Sequence, residues 1–552
     1  MVKSSNLYRN ELPIFLLLLS LAFLISYVKV SETGPLWPDA SQYANAGAMV
    51  HDYLQSGKIL HPYSFAKENY YQYPAFHLPY HPPVYPSLLG LFFLITGVGY
   101  KPARFFIALC LALAGFAFYR VLKQRDLNTT AAASAAMVLM STHEIAFWSR
   151  DTMSEIPALA SIITACWIFL YWLKTMKLYY FLFALMSALG GFLSRYLSVG
   201  VLLAWPFWVL LFSNFRTIIT KRVVLVSIGF LLLAGVWILF ALQFSKFETP
   251  LGGVTPKINY VQSFSLAPVS YQLRRLPVTV GWPVLIAAII GSILLIYARL
   301  YSRFLFWFSW FACCLFLSIV LGVMGETRYF LFAVPSFVGL FGELLQQISV
   351  HRRGTVLTLA LVAGCLLANG YQIKGFPRGV VGYEAVGREL AGTTERGNVL
   401  VALSEQADLI FRFRSLEPNS DRLFIRADRT LVIRPPNYAN AEVRTVAQTY
   451  EDILEMIRRG RIRYLVTCNP EPGGYDDRFE EMITLDNFAR SQPQHFQLLK
   501  TFVVLREYSR PGTLWHVSLW RYLGELPQTP SELPVIVPSA DMELKPHSIG
   551  PN

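Results

Sequence analysis

Eleven apolar runs follow one another along the first 372 residues of the chain, near 12–28, 104–120, 131–148, 156–173, 179–194, 196–213, 223–243, 279–298, 304–322, 329–347 and 355–372. Each is about 16–21 residues long, close to the ~20 that a helix needs to cross a bilayer core. This pattern predicts a polytopic α-helical membrane protein with about 11 spans. Composition agrees, since 54% of the 552 residues are apolar and only 15% are charged, against about 25% charged in ordinary soluble domains. Disorder, collagen-like fibres and small disulfide scaffolds are excluded on the same grounds. The six cysteines form no CxxC pair and no metal-type spacing.

The net charge of +13 resembles a nucleic-acid signal until it is divided. Residues 1–372 hold 26 Lys/Arg against 12 Asp/Glu, whereas residues 373–552 hold 22 against 23. The basic excess therefore belongs to the apolar part, where cations beside spans set orientation, and no nucleic-acid partner is expected. Lys3 and Arg9 precede the first run as in a signal peptide, but no small-x-small cleavage site follows, so it reads as a retained span.

A twelfth run, 84–98, has about 15 residues, nearer to the ~10–14 of interfacial or re-entrant segments. If it does not span, six inner segments collect Lys3/Arg9, Arg120/Lys123/Arg125, Lys174/Lys177, Arg216/Lys221/Arg222, Arg299/Arg303 and Arg352/Arg353. Every short inner loop is then basic, as the positive-inside rule requires. This reading places the amino terminus in the cytoplasm and puts residues 373–552 outside. It also gathers nine of the twelve acids of residues 1–372 at the outer side, leaving only Glu11, Asp126 and Glu343 inside. Acids are costly beside a bilayer, so their collection on one face marks a site.

Residues 31–103 form a long first outer loop, rich in Tyr, His and Pro, and a loop of that length is expected to be folded and functional. Its amphipathic stretch Asp39–Leu54 and the run 84–98 are expected as interfacial helices. Beyond residue 372 the composition changes. Segments 398–403, 463–468, 497–504 and 514–522 read as strands and 451–461 as a helix, giving a small α/β domain over 373–526 on the outer side. The tail 527–552 is Pro/Ser-rich and expected to be loose.

Two acidic clusters stand out: Trp37-Pro38-Asp39-Ala40, and Arg150-Asp151 with Glu155 four residues on. Near them in the outer turns are His77, His81, Arg195 in Ser194-Arg195-Tyr196, and Arg328 in Glu326-Thr327-Arg328-Tyr329. Carboxylates facing isolated arginines suit a reaction that takes a proton from an acceptor and stabilises a departing phosphate. The planar guanidinium fork matches phosphate well.

The chain resembles the multi-spanning GT-C glycosyltransferases that use polyprenyl-phosphate sugars: the protein mannosyltransferases, aminoarabinose transferases and Rgt-like bacterial enzymes. The resemblance rests on W-P-D-A-x-x-Y-A at 37–44, H-P-P-V-Y at 81–85, R-D-T-M-S-E-I-P at 150–157, S-R-Y at 194–196 and R-Y-F-L-F-A-V-P at 328–335. It covers roughly residues 10–372. It implies a GT-C-like fold in the inner (cytoplasmic) membrane and transfer of a sugar from a polyprenyl phosphate to a lipid, glycan or protein acceptor of the envelope. Asp39 falls where the family has its first-loop carboxylate and would act as general base. The second acidic position falls on Asp151 or Glu155. Arg195, Arg328, Arg150 and His81 would attend the donor phosphate. Where relatives often have Lys-Pro-Pro, this chain has His81-Pro82-Pro83, and a histidine is mostly neutral at pH 7. No cofactor is implied, and the sequence leaves a divalent metal open.

Structural roles compete with each of these. Asp39 before Ala40 suits a helix N-cap. Glu155 before Pro157 suits the first turn of a span. Arg195 and Arg328 suit interfacial anchors, and His81-Pro82-Pro83 suits a rigid loop corner. Two other functions compete as well. A secondary transporter would show repeats and polar groups near the bilayer midplane, which the sequence lacks. A non-catalytic anchor displaying residues 373–552 would need neither Asp39 nor the acids of 150–155.

Overall fold

The computed structural model describes residues 4–28, 34–58, 60–76, 81–212, 220–244, 266–321, 327–350, 354–377, 379–403, 405–433, 444–445, 447, 449–470, 480–506, 513–529, 533, 535–537 and 542–544. Among them, six helices are long and apolar enough to cross a membrane: Tyr100–Gln124, Glu155–Thr175, Lys221–Phe240, Tyr301–Val320, Thr327–Ser349 and Gly354–Lys374. A seventh span results if Ala267–Val280 and Trp282–Tyr297, bent by 110°, are taken as one. The remaining expected spans appear as shorter apolar helices, Glu11–Tyr27, Thr129–Ser141, Leu178–Phe192 and Tyr196–Phe212. The architecture is polytopic and helical, while the count of about eleven is not reached on length.

The shortfall has local causes. The run 131–148 breaks at Thr142, whose extended backbone (φ −57°, ψ 147°) separates Thr129–Ser141 from His143–Trp148. Gly281, at φ 91°, takes a left-handed conformation that side-chain-bearing residues avoid, and the 110° bend falls there.

The long segment after the first helix is folded among its described residues, as its length implied. Helix Pro38–Ser56 starts with proline at its first position and stops at Gly57 in the αL conformation, a start and stop pair that both residue types favour. Helix Pro62–Gln72 follows, then Val84–Thr96. Val84–Thr96 packs against Pro38–Ser56 through two glycines. A Cβ on Gly90 would lie 2.6 Å from the Val50 side chain and 2.8 Å from the Gly47 carbonyl, and one on Gly47 would lie 2.9 Å from Leu89. Gly90→Val is therefore expected to destabilise the protein by about 1–3 kcal/mol, the usual cost of overpacking. Thermal unfolding in detergent checks this, and a melting temperature equal to the wild type would mean that the two helices separate freely.

The C-terminal domain is built on a six-stranded sheet in the order β1-β7-β8-β6-β2-β3. These strands are β1 (Val380–Val381), β2 (Asn398–Ala402), β3 (Phe424–Arg426), β6 (Ile462–Pro470), β7 (Phe496–Arg506) and β8 (Thr513–Tyr522). Strand β2 runs parallel to both β3 and β6, and the other pairings are antiparallel. Helix Tyr450–Arg459 begins with a capping box between Thr449 and Asp452 and buries Ile453, Met456 and Ile457. Two short antiparallel pairs complete the domain, β4 (Val432–Ile433) with β5 (Arg444–Thr445), and β9 (Val535–Val537) with β10 (Met542–Leu544). The tail expected to be loose thus contains one of these pairs.

Helix Gln406–Leu416 connects β2 to β3 and docks on helix Pro38–Ser56. Asn45 Nδ2 donates to the Ala407 carbonyl at 2.8 Å, and Arg414 Nη2 to Asp52 Oδ2 at 2.6 Å. Phe411 from this helix joins the apolar core of the helical part, with its ring 4.6 Å from that of Tyr100.

Candidate active site

The turn 149–154 holds the start of helix Pro38–Ser56. Asp151 Oδ2 accepts from the Trp37 N–H at 2.9 Å, Thr152 Oγ1 donates to the Ala40 carbonyl at 2.9 Å, and Ser154 Oγ donates to the Tyr43 hydroxyl at 3.0 Å. Asp39 lies in the first turn of that helix. Trp37, not Asp39, is the N-cap residue, and the cap makes no side-chain hydrogen bond. The Asp39 carboxylate is thereby left for other work, with its side chain 29% exposed and one oxygen 3.6 Å from Arg328 Nη2.

Glu155 opens the next membrane helix and is fully buried. Its Oε1 lies 3.2 Å from Arg195 Nη2 and 3.5 Å from Arg328 Nη1. One carboxylate thus holds two guanidinium groups, and the second of these also reaches Asp39. Arg328 is 5% exposed and lies beside two indoles that pack edge to face, its guanidinium carbon 5.2 Å from the rings of both Trp37 and Trp148. Tyr329 lies 5.4 Å from Arg328 and 5.6 Å from Arg195. Trp148 Nε1 in turn donates to Glu144 Oε2 at 3.0 Å. Neither arginine reaches out toward headgroups as an interfacial anchor would.

His81 is buried beside this cluster. Its Nε2 donates to Gln42 Oε1 at 3.1 Å, and its ring centroid lies 4.1 Å from that of Tyr43. Burial first, and then the charges of Arg195 and Arg328, push its pKa down to about 3. The imidazole is neutral near pH 7, and its one N–H is given to Gln42, so it brings a phosphate no charge. The neighbouring segment is pinned to the Arg195 turn by the Val84 N–H, which donates to the Leu193 carbonyl at 3.0 Å. Tyr43 is raised to about 12, mainly by burial, so it remains a phenol.

The two remaining candidates serve the backbone. Asp151 accepts from the amides of Thr152 and Trp37, both at 2.9 Å. Burial lifts its pKa to about 7 against the opposing pull of Arg104 and those amides. Asp151 therefore serves the Trp37 backbone, two residues before Asp39. Arg150 points elsewhere: its Nε donates to the Val28 carbonyl at 3.1 Å and its Nη2 to the Pro377 carbonyl at 2.9 Å. It joins the end of the first helix to the entry of the C-terminal domain. His77 and Glu326 lie outside the described residues. Among those described, no group of three or more His, Cys, Asp or Glu side chains could hold a metal ion.

The sequence reading assigns no role to Trp148 or Gln42, and it has Trp37 and Tyr329 only as motif neighbours of Asp39 and Arg328. Their signal is weak in an aromatic-rich chain, since only three-dimensional placement separates them from packing residues.

Chemically, the cluster pairs a partly exposed carboxylate with two buried cations whose charge a fully buried glutamate partly offsets. It can accept a proton at Asp39 and bind an anion at the guanidinium groups. Comparison with known proteins gives a consistent fold. The sequence model of dolichyl-phosphate-mannose-protein mannosyltransferases matches residues 80–240. ArnT from Cupriavidus metallidurans is similar in structure both in its apo state (TM-score 0.56) and bound to undecaprenyl phosphate (TM-score 0.55). Each is 12% identical and aligns over 91% of this chain and 97% of its own. The oligosaccharyltransferase of Archaeoglobus fulgidus in its apo form is also similar, at 12% identity and TM-score 0.52, over 83% of this chain and 69% of its own. No curated protein sequence matches the chain.

Proposed function

We propose, from the premise that this chain has the fold of the GT-C glycosyltransferases, that it moves a sugar from a polyprenyl-phosphate donor to an envelope acceptor at the outer face of the inner membrane. The observation behind this reading is the Asp39–Arg328–Glu155–Arg195 cluster, with its distances of 3.2–3.6 Å and its most exposed carboxylate at Asp39. The undecaprenyl phosphate bound by the ArnT of similar fold supports a donor of that class.

In this reading the donor enters from the bilayer with its phosphate against Arg195 and Arg328. The acceptor hydroxyl or amine gives its proton to Asp39. Its oxygen or nitrogen forms a bond to C1 of the sugar as the C1–O bond to the phosphate breaks. Polyprenyl phosphate leaves, and the anomeric centre is inverted in the single displacement. The two guanidinium groups meet the charge that builds on the leaving phosphate, and being already fixed they need no reorganisation at that moment. Glu155 holds them in place. Asp151 acts one step back, fixing the Trp37 backbone two residues before Asp39.

The reading is tested by mass analysis of envelope lipids and glycans with and without the chain, followed by turnover of purified protein with polyprenyl-phosphate sugars and the acceptor so identified. An unchanged envelope together with no release of polyprenyl phosphate would exclude it.

The topology is a separate prediction. With residues 84–98 not crossing, positions 39, 151 and 400 face outward and Lys123 faces inward. Single-cysteine labelling in a background free of native cysteines should show this. The labels go on exposed sites, Lys58 and Lys500 for the outer side, and labelling of position 123 from outside, or of position 58 or 500 from inside, would reverse the orientation.

A further inference from the structure

The helix that carries Asp39 is gripped from outside the membrane part. The segment that leads into it, Gly34-Pro35-Leu36, lies against β1: the Gly34 N–H donates to the Val380 carbonyl at 2.7 Å, and the Val380 N–H to the Pro35 carbonyl at 3.3 Å. Beneath this contact, Asp408 is fully buried and accepts from the Tyr100 hydroxyl at 2.8 Å and from Arg412 Nε at 2.9 Å. Arg104 Nη2 donates to the Gly34 carbonyl at 3.1 Å. Gly34 has no room for a side chain there. A Cβ would lie 2.7 Å from Asp408 Oδ2, 2.8 Å from Arg412 Nη2 and 2.9 Å from the Val380 carbonyl oxygen. Helix Gln406–Leu416 also holds the body of helix Pro38–Ser56 through Asn45 and Asp52.

A buried ion pair adds little net stability compared with apolar packing of the same volume. What it does impose is one relative placement of the parts it joins. We infer that the C-terminal domain fixes the position of Asp39, with Asp408, Arg412 and Gly34 as positioning residues that clamp the segment entering its helix. The kinetic consequence rests on the transfer reading above; the clamp itself does not. Asp39 is five residues from Gly34, so slack at the clamp reaches the carboxylate directly, and a displacement near 1 Å can cost about 10²-fold in rate.

The test uses the full-length protein and three variants. Arg412→Gln opens the clamp from the C-terminal side, and Gly34→Ala wedges it from the membrane side. Arg412→Lys keeps the charge but not the fork that reaches both Asp408 and Glu384, 3.4 Å away. For Arg412→Gln and Gly34→Ala, hydrogen exchange of residues 34–44 should rise. The kcat per folded molecule should fall ~10²-fold, as for a displaced reacting group, while affinity for polyprenyl phosphate stays at the wild-type level. Arg412→Lys should restore part of the loss. A residue needed only for folding would lower the yield of folded protein and leave kcat per folded molecule unchanged, which would overturn the inference. Unaltered exchange in residues 34–44 would overturn it as well, whatever happens to turnover. If the wild type itself releases no polyprenyl phosphate, the transfer reading fails and the exchange measurement alone decides the clamp.

Discussion

Asp39→Asn is expected to lower turnover by about 10²–10⁴-fold, the range that a positioned general base contributes. Folding and membrane insertion should be nearly untouched, and the structure gives the reason. Asp39 caps no helix end, is 29% exposed at its side chain, and meets Arg328 only at a long 3.6 Å. What the substitution removes is a charge in the first turn of a helix, worth about 0.3–1 kcal/mol. Arg328 keeps Glu155 and both indoles after the change. Asp151→Asn should behave in the opposite sense. It replaces an acceptor of two backbone amides by a group with one acceptor oxygen, so it should loosen the Trp37 backbone and cost stability as well as rate. Initial rates with a polyprenyl-phosphate sugar, alongside melting curves for both variants, separate the two cases. Undiminished turnover in Asp39→Asn would remove it as the base.

The parts of this molecule that were legible in its sequence are those where a local pattern has a single physical solution. Apolar length marks the helices, and Pro38 with Gly57 brackets the Asp39 helix at the place that its amphipathic pattern indicates. The strands read at 398–403, 463–468, 497–504 and 514–522 appear at Asn398–Ala402, Ile462–Pro470, Phe496–Arg506 and Thr513–Tyr522. Breaks inside apolar runs were not legible. Averaged hydropathy does not sense the extended backbone of Thr142 or the positive φ of Gly281. Helix Gln406–Leu416 was missed too, because its arginines and phenylalanines alternate and its faces are defined only by the loop on which it docks.

At the site, charge rarity singles out Asp39, Glu155, Arg195 and Arg328, and the fold brings these four together. Charge rarity says nothing of what a charge touches. Arg150 and Asp151 are as conspicuous in the sequence as Glu155, yet their hydrogen bonds go to backbone carbonyls and amides. The difference arises from the turn at 149–154, whose side chains staple one helix while the residue that follows it faces the arginines.

The arginine pair carries the second large effect. Arg195→Gln or Arg328→Gln should weaken donor binding roughly ten- to hundred-fold, since a charge-assisted hydrogen bond to phosphate is worth about 1.5–3 kcal/mol. Acceptor use at saturating donor should change less. The two sites differ in what else they lose. Without Arg195, Glu155 keeps Arg328 at 3.5 Å, and without Arg328 it keeps Arg195 at 3.2 Å. Without both it is a buried carboxylate with neither cation, a situation that costs about 3–5 kcal/mol. The double glutamine variant should therefore fold poorly, and adding Glu155→Gln should restore folding but not donor affinity. Lysine substitution probes the geometry. Arg328 lies beside Trp37 and Trp148 and reaches Asp39 with Nη2 and Glu155 with Nη1; an ammonium has no such fork. Arg328→Lys should thus lose much of the donor affinity. Arg195→Lys, which keeps the ion pair with Glu155, should lose less. Donor titrations on the four single variants measure these differences. Unchanged donor affinity in both glutamine variants, at normal expression, would show that the arginines serve only to hold Glu155 and the turns around it.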